Sequence, residues 1–314
     1  MTPPDASIAD WASQILSGDV RALARAATAV ENRRPEAMAL LRELFPHTGR
    51  AAIIGVTGPP GAGKSTLVDQ LTRVYRAQGR SVGIVAVDPT SPFTGGAILG
   101  DRIRMQAHHA DPGVFIRSMA TRGSLGGLAA ATTDIALLLD AAGKDTVLVE
   151  TVGVGQAEVE VARLADVTVV VLVPGMGDDV QTIKAGIMEI AGLFVINKSD
   201  RPGADTLERE LRALLGLASE SGGWQPAILH VVATEGKGID AVVEALRVRR
   251  ETGAQPAGRA RLWSARLREM LRERMLDCVS LAELNRAAED VAARRRDPYT
   301  IVEEWLKRVQ EHMH

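Results

Sequence analysis

The stretch Gly58-Pro59-Pro60-Gly61-Ala62-Gly63-Lys64-Ser65 decides the fold and the chemistry expected of this chain. An apolar run over residues 51–56 precedes it, and an amphipathic sequence over residues 66–71 follows it. Strand, loop and helix in this order are the context in which G-x-x-x-x-G-K-[ST] forms a phosphate-binding loop. The glycines let backbone N–H groups turn toward an anion, and the helix N-terminus adds partial positive charge. The stretch therefore predicts a nucleoside triphosphate site.

Two side chains of this loop have predicted roles. Lys64 is expected to contact the β- and γ-phosphates, and the hydroxyl of Ser65 is expected to bind magnesium. The alternative is a chance match in a chain with 30 glycines. The flanking strand and helix argue against chance, so we expect Lys64 to be essential for nucleotide binding.

Composition narrows the class of protein. The 314 residues suffice for one large α/β domain with appendages, and the net charge of −2 gives no field that would attract nucleic acid or an anionic membrane. The apolar runs are strand-sized and too short to cross a bilayer, and residues 1–10 do not resemble a secretory signal. The single cysteine, Cys278, cannot form an internal disulfide, and a small buried apolar side chain is its expected role. We expect a cytoplasmic protein.

Short β-rich runs alternate with helical segments from residue 50 to residue 246. The runs cover residues 51–56, 82–87, 114–116, 146–149, 167–173, 193–196 and 228–232. This alternation is typical of an α/β fold, a P-loop NTPase with a mostly parallel central sheet and helices on both faces. The division predicted is an N-terminal helical extension over residues 1–49, a nucleotide-binding domain over 50–246, and a linker with a C-terminal helical arm over 247–314.

The sequence predicts helices in the two flanking regions, residues 1–49 and 247–314. In the first, apolar residues recur every three or four positions from Leu16 to Val30, and a second helix begins at Pro35. In the last, Gly253, Pro256 and Gly258 predict a linker within residues 247–258, followed by helices with Trp and Met stripes. Such an arm buries little surface alone, so it is expected either to dimerise the chain or to pack on its own sheet.

The sequence Asn197-Lys198-Ser199-Asp200 indicates which base is bound. It follows the predicted strand 193–196, at the edge where open α/β sheets bind ligands. A buried Asp200 carboxylate can accept hydrogen bonds from the N1 and N2 groups of guanine, which adenine lacks. GTP is therefore expected over ATP. Val232, Ala233 and Thr234 follow the next strand, where their backbone N–H groups could bind the guanine O6.

Glu150-Thr151-Val152-Gly153 follows the strand 146–149 and predicts a sensor of the γ-phosphate. The Glu150 carboxylate is expected in the magnesium shell, and the Gly153 N–H on the phosphate. A glutamate where aspartate is usual allows contact through water. Val154 stands where many GTPases carry a glutamine that orients water, and Gln156 would need a different loop path. Slow intrinsic hydrolysis is therefore expected.

Three further side chains are candidates with open alternatives. Asp88 and Asp101 are candidate magnesium or water-holding carboxylates, or else cap and turn residues. Lys184 follows the glycine-rich loop 174–179, together with Gln181. It is expected either to supply positive charge to the transition state, in cis or across a dimer, or to be a solvated helix lysine. His108 and His109 lack a cysteine at ligand spacing and point to different sides of a helix, which disfavours a metal pair.

The predicted site residues fall into three groups. Those with a catalytic role are Lys64, Asp101, Glu150 and Lys184. Those binding magnesium are Ser65, Asp88, Asp101 and Glu150. Those binding the nucleotide are Gly58, Pro59, Pro60, Gly61, Ala62, Gly63, Lys64, Ser65, Thr66, Gly153, Asn197, Lys198, Asp200, Val232, Ala233 and Thr234.

Taken together, these motifs resemble the MeaB/ArgK-type P-loop GTPases, also called the methylmalonyl-CoA mutase-associated GTPase family. The residues that carry the resemblance are 58–66, 87–91, 95–101, 150–156 and 197–200, and the match spans about residues 50–240. The segments G-G-x-I-L-G-D and E-T-V-G-V-G-Q are far more specific than the phosphate loop alone. The loop 174–179 with Gln181 and Lys184 looks like an extra switch of that family.

The resemblance implies a chaperone of an adenosylcobalamin-dependent acyl-CoA mutase, such as methylmalonyl-CoA mutase. GTP binding and hydrolysis, with Mg²⁺, would gate cofactor loading and protect or reactivate the mutase. In that family the C-terminal arm dimerises the protein. No cobalamin-binding D-x-H-x-x-G motif is present, so the resemblance places the cobalamin on the partner rather than on this chain.

Two other functions stay open. A metallochaperone GTPase of the same P-loop class would need a Cys/His cluster near the nucleotide, and the single cysteine argues against one. A non-catalytic scaffold, which binds GTP and a partner but seldom turns over, is compatible with Val154. Turnover with and without a mutase separates these alternatives from the chaperone.

Overall fold

The computed structural model describes residues 7–88, 108, 110–120, 125–151, 165–175, 191–218, 225–253 and 256–311. Within them, seven parallel strands form one sheet in the order β3-β2-β4-β1-β5-β6-β7. The strands are β1 Ala52–Thr57, β2 Val82–Asp88, β3 Val114–Ala120, β4 Thr146–Glu150, β5 Val167–Leu172, β6 Leu193–Asn197 and β7 Ala227–Val231. Each of the seven predicted runs is a strand, and the expected α/β fold with a parallel sheet is confirmed.

Strand β1 lies at the centre of the sheet, between β4 and β5. Its Val56 is in register with Glu150 of β4 and with Val169 of β5. Because all strands are parallel, their carboxyl ends meet at one edge, where the strand order reverses around β1. The carboxyl ends of β1, β4 and β6 therefore meet at one crevice.

The described part of the chain contains ten α-helices. They are α1 Ile8–Leu16, α2 Val20–Glu31, α3 Pro35–Leu44, α4 Lys64–Ala77, α5 Leu125–Ala141, α6 Ala204–Ala218, α7 Ile239–Gly253, α8 Pro256–Asp277, α9 Leu281–Ala292 and α10 Pro298–Glu311. Helices α4 and α7 pack apolar residues on one face of the sheet. Helices α1, α2, α3 and α5 share a buried cluster with strand residues of the other face, and α6 covers β5 and β6.

The N-terminal extension contains one more helix than predicted. The apolar stripe from Leu16 to Val30 was expected to be continuous, but α1 ends at Leu16 and α2 begins at Val20. Gly18 adopts a φ of +89°, which a glycine tolerates best. The Asp19 carboxylate then accepts hydrogen bonds from the N–H groups of Arg21 and Ala22, an N-cap that starts α2.

One buried carboxylate fastens this extension to the sheet. Asp140, at the end of α5, accepts hydrogen bonds from the backbone N–H groups of Gly49, Arg50 and Ala51, immediately before β1. It is 2% exposed. The carboxylate satisfies three main-chain donors that the strand itself cannot pair, and so it fixes the direction in which the chain enters β1.

The chain divides into two compact units, residues 1–255 and residues 256–314. This division falls inside the predicted linker over residues 247–258, but most of that segment is helical, because α7 continues to Gly253 and α8 begins at Pro256. Arg247 forms ion pairs with Glu244 and Glu251 at helical spacing, which stabilises the polar last turns of α7. The described helices include none long and apolar enough to span a membrane.

The second unit contains α8, α9 and α10. Helix α9 begins at a capping box, in which Ser280 and Glu283 satisfy each other's backbone N–H groups. An ion pair between Arg308 and Glu283 joins α10 to α9, and Ile301 is buried. Cys278 is exposed, so the prediction of a buried thiol is wrong; it follows the end of α8, where the chain turns.

Candidate functional site

The phosphate loop connects the buried end of β1 to the first turn of α4, as predicted. Two of its glycines leave no room for a Cβ atom. A Cβ on Gly58 would lie 2.1 Å from the Val171 carbonyl oxygen, and one on Gly63 would lie 2.3 Å from the Asn197 Nδ2. Gly63 also has a φ of +90°. The loop is therefore packed closely against β5 and the loop after β6, and its backbone can face a ligand.

The Lys64 side chain lies within the loop. Its Nζ donates hydrogen bonds to the carbonyl oxygens of Gly58, at 2.8 Å, and Pro59, at 3.1 Å, and the residue is 7% exposed. These carbonyls hold the ammonium group where the phosphate tail of a nucleotide would lie. A phosphate oxygen would replace a neutral acceptor with a charged one, which strengthens the interaction.

Ser65 and Glu150 are brought together from α4 and β4. The Ser65 Oγ donates a hydrogen bond of 2.6 Å to the Glu150 Oε1, and both residues are buried. A hydroxyl and a carboxylate are hard oxygen ligands of the kind that magnesium prefers. The donor set therefore fits the metal, and these two residues would hold it beside the phosphates.

Asn197 has a role that the motif alone did not reveal. Its Nδ2 donates to the Ala62 carbonyl oxygen at 2.8 Å, and its Oδ1 accepts from the N–H groups of Lys198 and Ala233. The Lys198 Nζ also donates to the Gly61 carbonyl oxygen at 2.9 Å. One amide thus joins the phosphate loop, the loop after β6 and the loop after β7, and so positions the phosphate site relative to the base site.

The residues predicted to read the base line the same edge. Asp200 was expected to be buried, but its side chain is exposed. The carboxylate would become buried only when a base lies over it. The N–H groups of Val232 and Ala233 bond the Lys237 carbonyl and the Asn197 Oδ1, and a guanine oxygen would have to share them. Thr234 is exposed beside them.

Several predicted residues lie outside the described part of the chain. Asp88 ends β2, and its side chain is not among those described. The residues that lie wholly outside the described part are Asp101, His109, Gly153, Val154, Gln156, Gln181 and Lys184. Their roles stay predictions.

His108 lies in a hydrogen-bonded pair. Its Nε2 is 2.8 Å from the Asp69 Oδ1 on α4, and both side chains are largely buried. Asp69 also pairs with Arg73. Among the described residues, no three His, Cys, Asp or Glu side chains are grouped closely enough to hold a metal ion.

Comparison with known proteins agrees with this geometry. Residues 23–284 match the family model described as methylmalonyl-CoA mutase-associated GTPase MeaB. The chain belongs to the MeaB family of GTPases. It is a P-loop GTPase, which binds a guanine nucleotide and hydrolyses GTP.

Relatives of this GTPase match over most of their length. A Pyrococcus horikoshii protein is 48% identical over 305 residues, which cover 94% of this chain and 96% of the relative. The GTPase ArgK of Escherichia coli is 41% identical over 250 residues, and this alignment covers 77% of this chain and 76% of ArgK. A crystal structure titled LAO/AO transport system kinase aligns with a TM-score of 0.71 at 29% identity, covering 99% of this chain and all of that one.

Proposed function

We propose that this GTPase is a chaperone of an adenosylcobalamin-dependent acyl-CoA mutase, such as methylmalonyl-CoA mutase. In this proposal its GTP cycle gates the loading of intact adenosylcobalamin and protects or reactivates the mutase. The observation that carries it is the match to the mutase-associated family over residues 23–284. The cofactor and the acyl-CoA chemistry belong to the partner.

The nucleotide roles form part of the same proposal. Magnesium is held at Ser65 and Glu150, with Asp88 and Asp101 as further candidates, and Lys64 binds the phosphates. The hydrogen bond between Ser65 and Glu150 supports a shared metal position. Gly153 and Lys184 are proposed to act on the γ-phosphate, because they come after β4 and β5 along the chain and parallel sheets bind ligands beyond the carboxyl ends of their strands.

The site predicts how the mutase would act on the GTPase. Val154 carries no hydrogen-bonding side chain where many GTPases orient the attacking water, so intrinsic hydrolysis is expected to be slow. A partner that orders the loop or supplies a charge would raise kcat. The proposed cycle is therefore coupled to the mutase, and turnover is its readout.

Steady-state GTP hydrolysis with and without a purified candidate mutase tests this function. We expect the mutase to raise kcat at least tenfold, because one supplied transition-state contact contributes roughly two or more powers of ten. Adenosylcobalamin transfer to the apo-mutase should then differ between GTP and a non-hydrolysable analogue. The Lys64→Ala variant is the control for a contaminating phosphatase. The chaperone function would be contradicted if the mutase did not stimulate hydrolysis and the choice of nucleotide did not change loading.

A homodimer through the second unit is also part of the proposal. Leu267 and Leu271 lie one turn apart on α8 and are 60% and 62% exposed, and Trp263 lies one turn before them. An apolar stripe of this kind is typical of a helix that packs on another chain. A second copy of this chain is the expected partner. We also propose a cytoplasmic location.

A further inference from the structure

Ser199 lies between Lys198 and Asp200 in the loop after β6, and the sequence motif assigns its side chain no role. Its backbone N–H and its Oγ both donate to the carbonyl oxygen of Val231, the last residue of β7, each at 3.1 Å. Val231 is 1% exposed and Ser199 is half-buried. Two donors from one residue therefore bind a single enclosed carbonyl between the two loops that are proposed to bind the base.

The chain reaches Ser199 through a backbone conformation that needs support. Lys198 has a φ of +56°, in the left-handed region that residues with a side chain seldom adopt. The Lys198 carbonyl accepts a hydrogen bond from the Arg201 N–H at 3.0 Å, which closes a turn around Ser199 and Asp200. A left-handed residue costs about as much free energy as one hydrogen bond supplies, so the Ser199 hydroxyl bond is of the right size to offset that cost.

The phosphate side of the site is held by other bonds. The Asn197 Nδ2 and the Lys198 Nζ donate to the carbonyl oxygens of Ala62 and Gly61 in the phosphate loop. The Ser199 hydroxyl takes part in neither bond, so its loss would spare the attachment to the phosphate loop. One bond fixes a distance, whereas two bonds from the same residue also fix an orientation. Without the hydroxyl, the peptide that leads out of Ser199 is free to rotate about the remaining N–H bond.

We propose that Ser199 is a positioning residue for guanine selectivity and acts through Asp200. The inference rests on the proposed assignment of Asp200 to the base. The guanine N1 and N2 groups would make a two-point contact with one carboxylate, and such a contact tolerates little rotation of its acceptor. Asp200 is exposed, so the direction of its carboxylate is set by the loop that carries it rather than by packing.

The test compares two ratios of affinity, measured by competition against a fluorescent GDP analogue in Mg²⁺. The preference for GDP over inosine diphosphate reports the base contact, because inosine diphosphate lacks the N2 group. The preference for GDP over GMP reports the phosphate contact. In Ser199→Ala we expect the first preference to fall roughly three- to tenfold, the worth of one hydrogen bond, and the second to stay unchanged. Ser199→Thr keeps the hydroxyl and should keep both preferences.

Ser17→Ala is the matched control, since the Ser17 Oγ also donates to a main-chain carbonyl oxygen, that of Gln14, at the end of α1. It should change neither preference. The ratios also separate positioning from stability. A variant that is only destabilised has fewer binding-competent molecules, which weakens the apparent affinity for every nucleotide by the same factor and leaves both ratios unchanged.

Three results would overturn the inference: an unchanged preference for GDP over inosine diphosphate in Ser199→Ala, an equal fall in both preferences, or a Ser199→Thr variant that behaves like Ser199→Ala. A wild type that binds GDP and inosine diphosphate equally contradicts the assignment of Asp200 to the base. Because that last result appears without any substitution, failure of the base assignment is distinguished from failure of the role given to Ser199.

Discussion

At the residue scale, Asp200 is the side chain that decides between bases. Replacing it with asparagine exchanges one of the two carboxylate acceptors for a donor, so the guanine N1 and N2 groups lose one acceptor while the xanthine O2 gains a donor. In Asp200→Asn we expect the preference for GTP over xanthosine triphosphate to fall roughly ten- to hundredfold. Competition against a fluorescent GDP analogue measures this ratio. Asp205→Asn, an exposed change in the first turn of α6, is the control, and unchanged selectivity in Asp200→Asn would refute the base assignment.

Gly63 tests the contact between the phosphate loop and Asn197. A Cβ at this position would meet the Asn197 Nδ2 at 2.3 Å and so displace the amide that joins the three loops. Gly63→Ala is therefore expected to lower nucleotide affinity at least tenfold, which corresponds to about 1.4 kcal/mol or one lost hydrogen bond. Isothermal titration with GDP measures the loss.

Gly79→Ala is the matched control for that prediction. Gly79 has a φ of +76°, similar to the +90° of Gly63, but a Cβ added to it would meet no atom within 4 Å. Both variants share the backbone strain, roughly 1 kcal/mol, of an alanine in the left-handed region. Only the Gly63 variant should lose affinity. Equal affinities in the two variants would contradict the role given to the Asn197 contact.

At the scale of elements, the N-terminal extension depends on the Asp140 carboxylate. Asp140→Ala leaves three backbone N–H groups before β1 without their acceptor, and we expect the free energy of unfolding to fall by roughly 3 kcal/mol. Urea unfolding measures it. Asp140→Asn keeps one acceptor oxygen and should lose less.

Asp240→Ala, an exposed change in the first turn of α7, is the comparison for a carboxylate without this role. We expect it to alter the urea midpoint little, because surface substitutions are usually within about 0.5 kcal/mol. Similar losses in Asp140→Ala and Asp240→Ala would contradict the view that this one carboxylate fastens the extension to the sheet.

At the scale of the whole molecule, the prediction concerns the number of chains. Leu267→Glu combined with Leu271→Glu puts two charges on the apolar stripe of α8, and burying unpaired charges in an interface is costly. We expect the wild type to sediment as a dimer and the double variant as a monomer. Val248→Glu, at an exposed apolar residue of α7, is the control and should stay dimeric. A monomeric wild type, or a dimeric double variant, would exclude this interface.

Sequence patterns were sufficient for elements whose signals are local. The seven strands were found because each is a short apolar run of β-branched residues, and the phosphate loop because its glycines stand between a strand and a helix. The end of α7 was misjudged. Its polar residues and nearby Gly and Pro suggested a linker, while the Arg247 ion pairs that stabilise the helix follow from helical geometry.

The sequence by itself determined the fold class, the nucleotide chemistry and the family, because each depends on residue types at fixed spacings along the chain. Only the tertiary structure decided which distant residues meet. Examples are Asn197 with Ala62, Ser65 with Glu150, and Thr57 with Thr151. The physical reason is that strand order and register, which no local pattern encodes, place β4 beside β1 and so bring the end of one strand to both ends of the loop.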